Sequence, residues 1–297
     1  MSASRSLIFP GLVPLSLPNL EAVVGVDDGH LSIAAHVCGV APADAVARYG
    51  ANLPQTLHEA LLAVAVIRRM EKEPLGWTAF GGLSAGVLPA LYAAGAIAEE
   101  DCFRLAYEIN SSQLRAGRQR RSGTTIAALT SSEGDAERLV EVLGERGYKP
   151  HLSVDLGGGL VAVALPTGDP LPVTELLHRL GIMVLDSIDR AEHCPFALPR
   201  KEEFRSLLDT VEFRSPTATV ISPLTGECLG SSPDELKHML VEQWFDTARL
   251  PKTVDGLLSV SGVKGVDLVS PESSVYVSCT RNLLRGRADH RLLTLPG

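Results

Sequence analysis

The stretch Gly82-Leu83-Ser84-Ala85-Gly86 decides the fold of this chain. It has the G-x-S-x-G spacing of a nucleophile elbow, in which a serine stands on a sharp turn between a strand and a helix. Residues 76–81 before it are short and mostly apolar, and residues 87–94 after it are alanine-rich and typical of a helix. A chance match in a Gly/Ser-rich loop is the alternative, and the surrounding pattern favours the elbow.

The amino-acid composition excludes several classes of protein. The chain has 297 residues, of which 45% are hydrophobic and 21% charged, with a formal net charge of −8. No apolar run is long enough to span a membrane, and residues 7–10 are too short for a signal peptide. The acidic charge argues against nucleic-acid binding. Five scattered cysteines without a C-x-x-C pair indicate free thiols, so we expect a cytoplasmic enzyme with no metal site. Together with the charge and the short apolar runs, this predicts neither a nucleic-acid nor a membrane partner.

The order of strand and helix patterns predicts an α/β fold of two units. Strands alternate with helices over residues 1–122 and again over 190–297, which indicates a large α/β-hydrolase-like domain with a parallel sheet. Residues 123–189 follow the order β-α-β-β-α-β, with predicted strands at 124–129, 151–155, 160–165 and 183–188. That order is typical of a ferredoxin-like subdomain, inserted here into the larger domain.

A serine hydroxyl needs a general base within hydrogen-bond reach, usually a histidine. Of the eight histidines, His193 stands out because it lies in the loop 191–195, where the inserted unit returns to the large domain. Loops at such junctions often present catalytic groups. By spacing alone, an ordinary loop histidine remains the alternative.

The chain resembles the malonyl-CoA:acyl-carrier-protein transacylases and polyketide-synthase acyltransferase domains from Phe9 to about Leu284. Its elbow stands where that family has Gly-His-Ser-Leu-Gly, and the family also carries an inserted ferredoxin-like unit. Other similar segments follow in the family's order, and they are Phe9-Pro10-Gly11, Ala93-Ala94-Gly95-Ala96-Ile97, Glu192-His193-Cys194-Pro195, Ile221-Ser222-Pro223-Leu224-Thr225-Gly226, and Val241-Glu242-Gln243-Trp244 with Arg249.

The resemblance implies a role for each matching residue. Ser84 is the expected nucleophile and His193 the expected base and acid. The backbone N–H groups of Leu12 and Ala85 are expected to form the oxyanion hole, and the carbonyl of Gln243 to orient the histidine. The implied substrates are acyl-CoA or acyl-phosphopantetheine thioesters, with no cofactor and with an acyl carrier protein as partner.

Departures from the family concern the acyl group. Malonyl-specific members hold the free carboxylate with an arginine, and Asn110 stands at that position here. Leu83, Ala197 and Leu12 replace a histidine, a methionine and a glutamine, so we expect a less polar substrate pocket. A buried carboxylate without a charged partner is costly, so a neutral acyl chain or an aminoacyl unit fits better than malonyl. The alternative is that Arg104 or Arg115 supplies the charge from elsewhere.

A basic cluster stands out in this acidic chain, and its members are Arg115, Arg118, Arg120 and Arg121. One interpretation is a solvated helix end, where positive charge suits the helix dipole. The other is a docking patch for an acidic carrier protein or for the phosphates of coenzyme A.

Three functions remain open at this point. The first is an acyltransferase that moves a non-malonyl acyl group in polyketide- or fatty-acid-type biosynthesis. The second is an acyl-carrier-protein hydrolase that uses the same Ser84 and His193 with water as the acceptor. The third is a non-catalytic carrier-binding subunit, against which the presence of both residues argues.

Overall fold

The computed structural model describes residues 4–11, 13, 15–39, 41, 44, 55–73, 76–119, 123–130, 135–197 and 200–295, without the side chains of 55, 56 and 110–119. The strands are β1 Ser4–Phe9, β2 Trp77–Gly82, β3 Thr124–Leu129, β4 His151–Gly157, β5 Leu160–Leu165, β6 Met183–Ile188, β7 Thr219–Ile221, β8 Ala248–Arg249, β9 Val263–Ser270 and β10 Asp289–Thr294. The helices are α1 Leu17–Val24, α2 Gly29–Cys38, α3 Gln55–Glu71, α4 Val87–Ala93, α5 Glu99–Gln119, α6 Asp135–Glu145, α7 Leu171–Arg179, α8 Lys201–Leu208, α9 Pro233–Phe245, α10 Leu250–Ser259 and α11 Val275–Leu284.

The first sheet is parallel, with the strand order β10-β9-β1-β2-β7. Its interior strand β1 pairs with β2 from Arg5 to Phe9, so the carboxyl ends of the two strands lie side by side. The chain leaves β1 at Pro10 and leaves β2 at the serine turn. Functional loops gather at this edge of a parallel sheet, and the register therefore brings Gly11 next to Ser84.

The second sheet has the order β6-β3-β5-β4-β8. Its first four strands are antiparallel neighbours, and with α6 and α7 they form the predicted ferredoxin-like unit. A separate apolar core packs this sheet against its helices, with Leu139, Leu143 and Val173 among its members. The α/β fold class is thus confirmed, whereas the division into domains at 122/123 and 189/190 stays a proposal.

One strand departs from the predicted division. Strand β8 comes from outside residues 123–189 and pairs in parallel with β4, through Val154 with Ala248 and Asp155 with Arg249. Residues Ala248–Arg249 therefore form a short strand, and α10 begins directly after it at Leu250. Because β8 directly follows α9, the pairing ties the carboxyl end of that helix to the second sheet.

The elbow requires glycine at positions 82 and 86, because a side chain at either position would collide with the backbone. A Cβ built on Gly86 would lie 2.1 Å from the carbonyl oxygen of Pro10, and one built on Gly82 would lie 2.1 Å from that of Gly86. Gly86 has a φ of −65°, which suits any residue, so the restriction is steric. Gly86 therefore lets the loop after β1 pack directly against the serine turn, and Gly82 lets that turn fold back over the end of β2.

We expect Gly86→Ala to lower the free energy of unfolding by about 2–4 kcal/mol, because a backbone carbonyl must move to admit the methyl group. The matched control is Gly144→Ala in α6, where an added Cβ meets nothing within 4 Å. That change should stabilise the protein slightly, by up to about 1 kcal/mol. Urea unfolding measures both, and equal stability of the two variants would contradict the steric argument.

Candidate active site

Ser84 stands at the apex of the turn between β2 and α4. A single 3₁₀ turn, Ser84–Gly86, joins the strand to the helix, and Ser84 has a φ of 53°. Left-handed backbone is costly for a residue with a Cβ and persists where the surrounding structure enforces it. The turn therefore holds the serine hydroxyl away from the sheet, toward the second sheet.

His193 lies in the loop between β6 and α8, and its φ of 48° is also left-handed. Two side chains of the second sheet fix the residue before it. The backbone N–H of Glu192 donates to Thr125 Oγ1 at 3.1 Å, and Ser153 Oγ donates to the carbonyl of Glu192 at 2.7 Å. The ferredoxin-like sheet therefore positions the histidine that faces the elbow of the other sheet.

The two side chains meet directly, with Ser84 Oγ 2.8 Å from His193 Nε2. The other ring nitrogen, Nδ1, lies 2.5 Å from the backbone carbonyl of Gln243. A carbonyl can only accept, so Nδ1 carries the proton and Nε2 is free to accept from the serine hydroxyl. Gln243 belongs to the last turn of α9, where carbonyls lack partners within the helix. The helix end thus sets the tautomer of the ring.

Burial sets the protonation state of His193, which is 1% exposed. Desolvation lowers its pKa below the ordinary 6.5, and the positive charge of Arg190 acts in the same direction. The carboxylate of Glu192 and the hydrogen bond to Gln243 oppose this effect without reversing it. The ring is therefore neutral at pH 7, which is the form that can take a proton.

Two spaces open next to Ser84. A cleft of about 590 Å³ runs between the two sheets and has Leu83, Ser84 and His193 in its wall. A second, small cavity of about 20 Å³ lies beside Ser84 and Ala85 and is lined by side chains of α3, α4, α5, α8 and α9. Ser84 therefore lies in the wall of both spaces.

The other predicted site residues fall into three groups. Leu83 lines the cleft, Ala85 lines the cavity, and Ala197 is buried in the His193 loop without lining either space. Arg104 is held by Asp101 and Thr210, and it does not line the cavity. The predictions for Leu12, Arg120, Arg121 and the side chains of Asn110, Arg115 and Arg118 lie outside the described residues.

Known structures show the same arrangement of elements. The acyl-carrier-protein S-malonyltransferase of Burkholderia pseudomallei 1710b is 20% identical with a TM-score of 0.81, and the alignment covers 99% of this chain and 97% of that one. FabD from Acinetobacter baumannii is 18% identical with a TM-score of 0.81, over 99% and 95% of the chains. This chain has the malonyltransferase fold. A malonyl-transacylase solved in complex with the type II PKS acyl-carrier protein AntF also has this fold, at 18% identity and a TM-score of 0.81 over 98% and 96% of the chains.

Similarity in sequence covers less of the chain than similarity in structure. The polyketide synthase GfsA of Streptomyces halstedii is 28% identical over 169 residues, which are 57% of this chain. The match covers 2% of the length of that protein. No family model matches the chain.

Three charged residues near the site were not predicted from the sequence. Glu59 and Glu192 line the small cavity, and Arg190 forms ion pairs with both. The one available signal was the position of Glu192, which directly precedes His193 in the sequence.

The described part of the chain holds neither a cluster of metal-ligating side chains nor a membrane-spanning helix. There, no three His, Cys, Asp or Glu side chains are grouped as ligands of a metal ion. None of the helices described there combines the length and apolar character needed to cross a membrane.

Proposed function

We propose that this protein is an acyltransferase that carries its acyl group as an ester on Ser84. The donor is a CoA or carrier-protein thioester, the acceptor is an acyl carrier protein, and the setting is polyketide- or fatty-acid-type biosynthesis. The observation that supports this most is the 2.8 Å contact between Ser84 Oγ and a neutral, carbonyl-anchored His193. Serine and histidine in this geometry suit acyl transfer.

The first half of the reaction uses groups of this chain alone. Ser84 Oγ attacks the thioester carbonyl while His193 Nε2 takes its proton. The backbone N–H of Ala85 and, by the resemblance, that of Leu12 stabilise the negative oxygen of the tetrahedral intermediate. The carbon–sulfur bond then breaks, and the proton on Nε2 passes to the leaving thiolate. An ester on Ser84 and a free thiol result.

The second half reverses these steps with a new thiol. The phosphopantetheine thiol of a carrier protein gives its proton to His193 Nε2 and attacks the ester carbonyl. The carbon–oxygen bond to Ser84 breaks, and the serine recovers its proton from His193. The cleft has room for such an arm, and a structural neighbour is a malonyl-transacylase in complex with its acyl-carrier protein. The four arginines of the basic cluster are the proposed docking patch.

The proposed acyl group is not malonyl. Asn110 offers amide donors and no charge where malonyl-specific enzymes have an arginine, so a malonyl carboxylate would lose its charged partner. Arg104, one of the two possible substitutes, is engaged with Asp101 and Thr210 and lies outside the cavity wall.

Intact-protein mass spectrometry after incubation with a panel of acyl thioesters tests the proposal. We expect a mass increase on Ser84 with non-malonyl donors. Malonyl-CoA should acylate Ser84 at least about tenfold more slowly than a neutral thioester of similar size. Asn110→Arg should shift the preference toward malonyl by supplying a bidentate carboxylate partner. Efficient malonyl transfer by the unmodified protein would contradict the substrate assignment. An adduct that water removes faster than a carrier thiol would instead indicate a hydrolase.

A further inference from the structure

The loop that follows β1 packs against the proposed nucleophile. A Cβ built on Gly11 would lie 3.2 Å from the carbonyl oxygen of Leu83 and 3.6 Å from the Cβ of Ser84. Val13, two residues further on, lines the cleft. Leu12, whose N–H is proposed to stabilise the tetrahedral intermediate, stands between these two residues in the sequence. The placement of this loop therefore determines how well a negative oxygen beside Ser84 is stabilised.

The start of the loop is fixed by the first sheet. Phe9 pairs with Gly82, where β1 and β2 end side by side. The carbonyl of Phe9 also accepts a hydrogen bond from the hydroxyl of Tyr276, at 2.9 Å. Both contacts lie before the loop begins. A loop held at one end alone can move at the other, so its placement beside Ser84 also depends on contacts after Gly11.

His58 supplies such a contact from the first turn of α3. The backbone N–H of Leu15 donates a hydrogen bond to His58 Nε2, at 2.6 Å. The helix is a firm support for this ring, because Leu57, Ala60 and Leu61 around His58 are buried in the main apolar core. The far end of the loop is therefore bonded to an element that does not belong to either sheet.

The protonation state of His58 suits this contact. Burial lowers the pKa of His58 below its ordinary 6.5, and a hydrogen bond with the backbone of Val13 opposes this effect without reversing it. A backbone group that favours the charged ring is a carbonyl, so Val13 accepts from the ring while Leu15 donates to it. The ring is therefore neutral at pH 7, with Nε2 as an acceptor, and it bonds the loop at two residues.

We propose that His58 is a positioning residue for acyl transfer, which holds the loop after β1 where that loop stabilises the negative oxygen of the tetrahedral intermediate. This inference rests on the proposed function, since it concerns the acylation of Ser84. His58 lines neither the cleft nor the small cavity, so it acts through the loop. Its contribution falls on the tetrahedral state, because the oxygen becomes negative only there.

Two substitutions of His58 separate its hydrogen bonds from its bulk. His58→Leu keeps an apolar side chain and removes both bonds, and it should lower the maximal rate of Ser84 acylation by roughly 10- to 100-fold. The donor concentration that gives half of that rate should change by less than about threefold, because ground-state binding is untouched. His58→Gln offers an amide oxygen and an N–H, and it should recover the rate to within about fivefold of the unmodified protein. Mass spectrometry of quenched samples, with the best donor of the panel, measures these rates.

A boronic acid gives a readout that a general structural role would not change. When butylboronic acid inhibits the enzyme, Ser84 Oγ bonds to boron and the serine proton passes to His193, which leaves a tetrahedral, negatively charged boronate. This adduct resembles the intermediate, so its stability depends on the same loop. In His58→Leu the inhibition constant should rise by about the factor by which the acylation rate falls.

His30 offers a matched control on the same helix. It is a partly buried histidine of α2 that contacts Glu71 at the end of α3, at 2.9 Å, and Glu99 of α5. His30→Leu removes these contacts far from the loop, so the acylation rate and the inhibition constant should both stay within about twofold. Urea unfolding of every variant establishes that it is folded under the conditions of the rate measurement.

The outcomes separate this inference from the proposed function. A folded His58→Leu that acylates Ser84 at the normal rate would overturn the inference and leave the acyltransferase in place. A loss of rate without a matching change in boronic acid inhibition would also overturn it, since His58 would then have a structural role only. If His58→Leu does not fold, His58→Asn replaces it, because its side chain is too short to carry an acceptor to Leu15, and a rate equal to that of His58→Gln would contradict the inference. Acylation of the unmodified protein by no donor of the panel would overturn the proposed function itself.

Discussion

Replacing Ser84 by alanine is expected to abolish formation of the acyl-enzyme. The hydroxyl is the group that His193 contacts at 2.8 Å, and alanine leaves no atom that can form the ester. The rate of transfer should fall by roughly three orders of magnitude or more, to the level that binding alone supports. Intact-protein mass spectrometry with the best donor measures the loss directly, as the disappearance of the mass increase.

The fold should survive this change. Ser84 is partly exposed to the cleft, and alanine has the same backbone preferences at a φ of 53°, so we expect a stability within about 1 kcal/mol of the unmodified protein. Ser206→Ala on the surface of α8 is the matched control, since that hydroxyl bonds the carbonyl of Glu202 away from the cleft. Acylation at an unchanged rate in Ser84→Ala would place the ester on another residue and remove the proposed mechanism.

Replacing His193 by alanine should slow acylation by about three orders of magnitude, because Ser84 then lacks a base. The ring is fully buried, so its removal also leaves a cavity and lowers the free energy of unfolding, by roughly 1–3 kcal/mol. Urea unfolding of the variant therefore accompanies the rate measurement. A folded variant with near-normal acylation would contradict the role of His193.

The pH dependence of the unmodified protein gives a second readout of His193. The active form of the ring is neutral, and burial lowers the pKa of His193 below 6.5, so the neutral form persists below that pH. The acylation rate should stay on its plateau as the pH falls from 8 through 6.5 and decline only at lower pH. A decline with its midpoint above 6.5 would mean that another group controls the rate.

The sequence predicted the elements that have a simple local pattern. Strands 124–129 and 183–188 coincide with β3 and β6, because apolar residues suited to strands are bounded there by turns and glycines. The serine turn was predictable for the same reason, since its glycines, its apolar strand and its alanine-rich helix lie within 20 residues. Such elements can be predicted from neighbouring residues alone, without knowledge of contacts between distant parts of the chain.

The elements that were not predicted depend on distant partners. Strand β9 lies inside the first sheet, yet its pattern is interrupted by Asp267, which is fully buried. That carboxylate is satisfied by Arg5, by Arg291 and by the indole N–H of Trp77 at 2.9 Å. Two of these partners lie about 190 and 262 residues away in the chain. Nothing in the local pattern shows that a buried acid has such partners, so the strand is not recognisable from sequence.

The charged residues around the small cavity were missed for the same reason. Glu59 and Arg190 are separated by more than 100 residues and meet because α3 packs beside the loop that carries His193. Read singly, each is a charged residue in a helix or a loop, which is ordinarily a solvated position. Their burial follows from the fold.

The contact between His193 and the end of α9 has a consequence for how this protein tolerates substitution. The acceptor at position 243 is a main-chain oxygen, which every residue type possesses. Alanine scanning would leave this oxygen in place. A survey of side chains would therefore not find the group that orients His193. What the sequence must preserve is the residue at which α9 ends. That end point depends on the helix itself, on its C-cap residue Asp246 and on the pairing of β8 with β4.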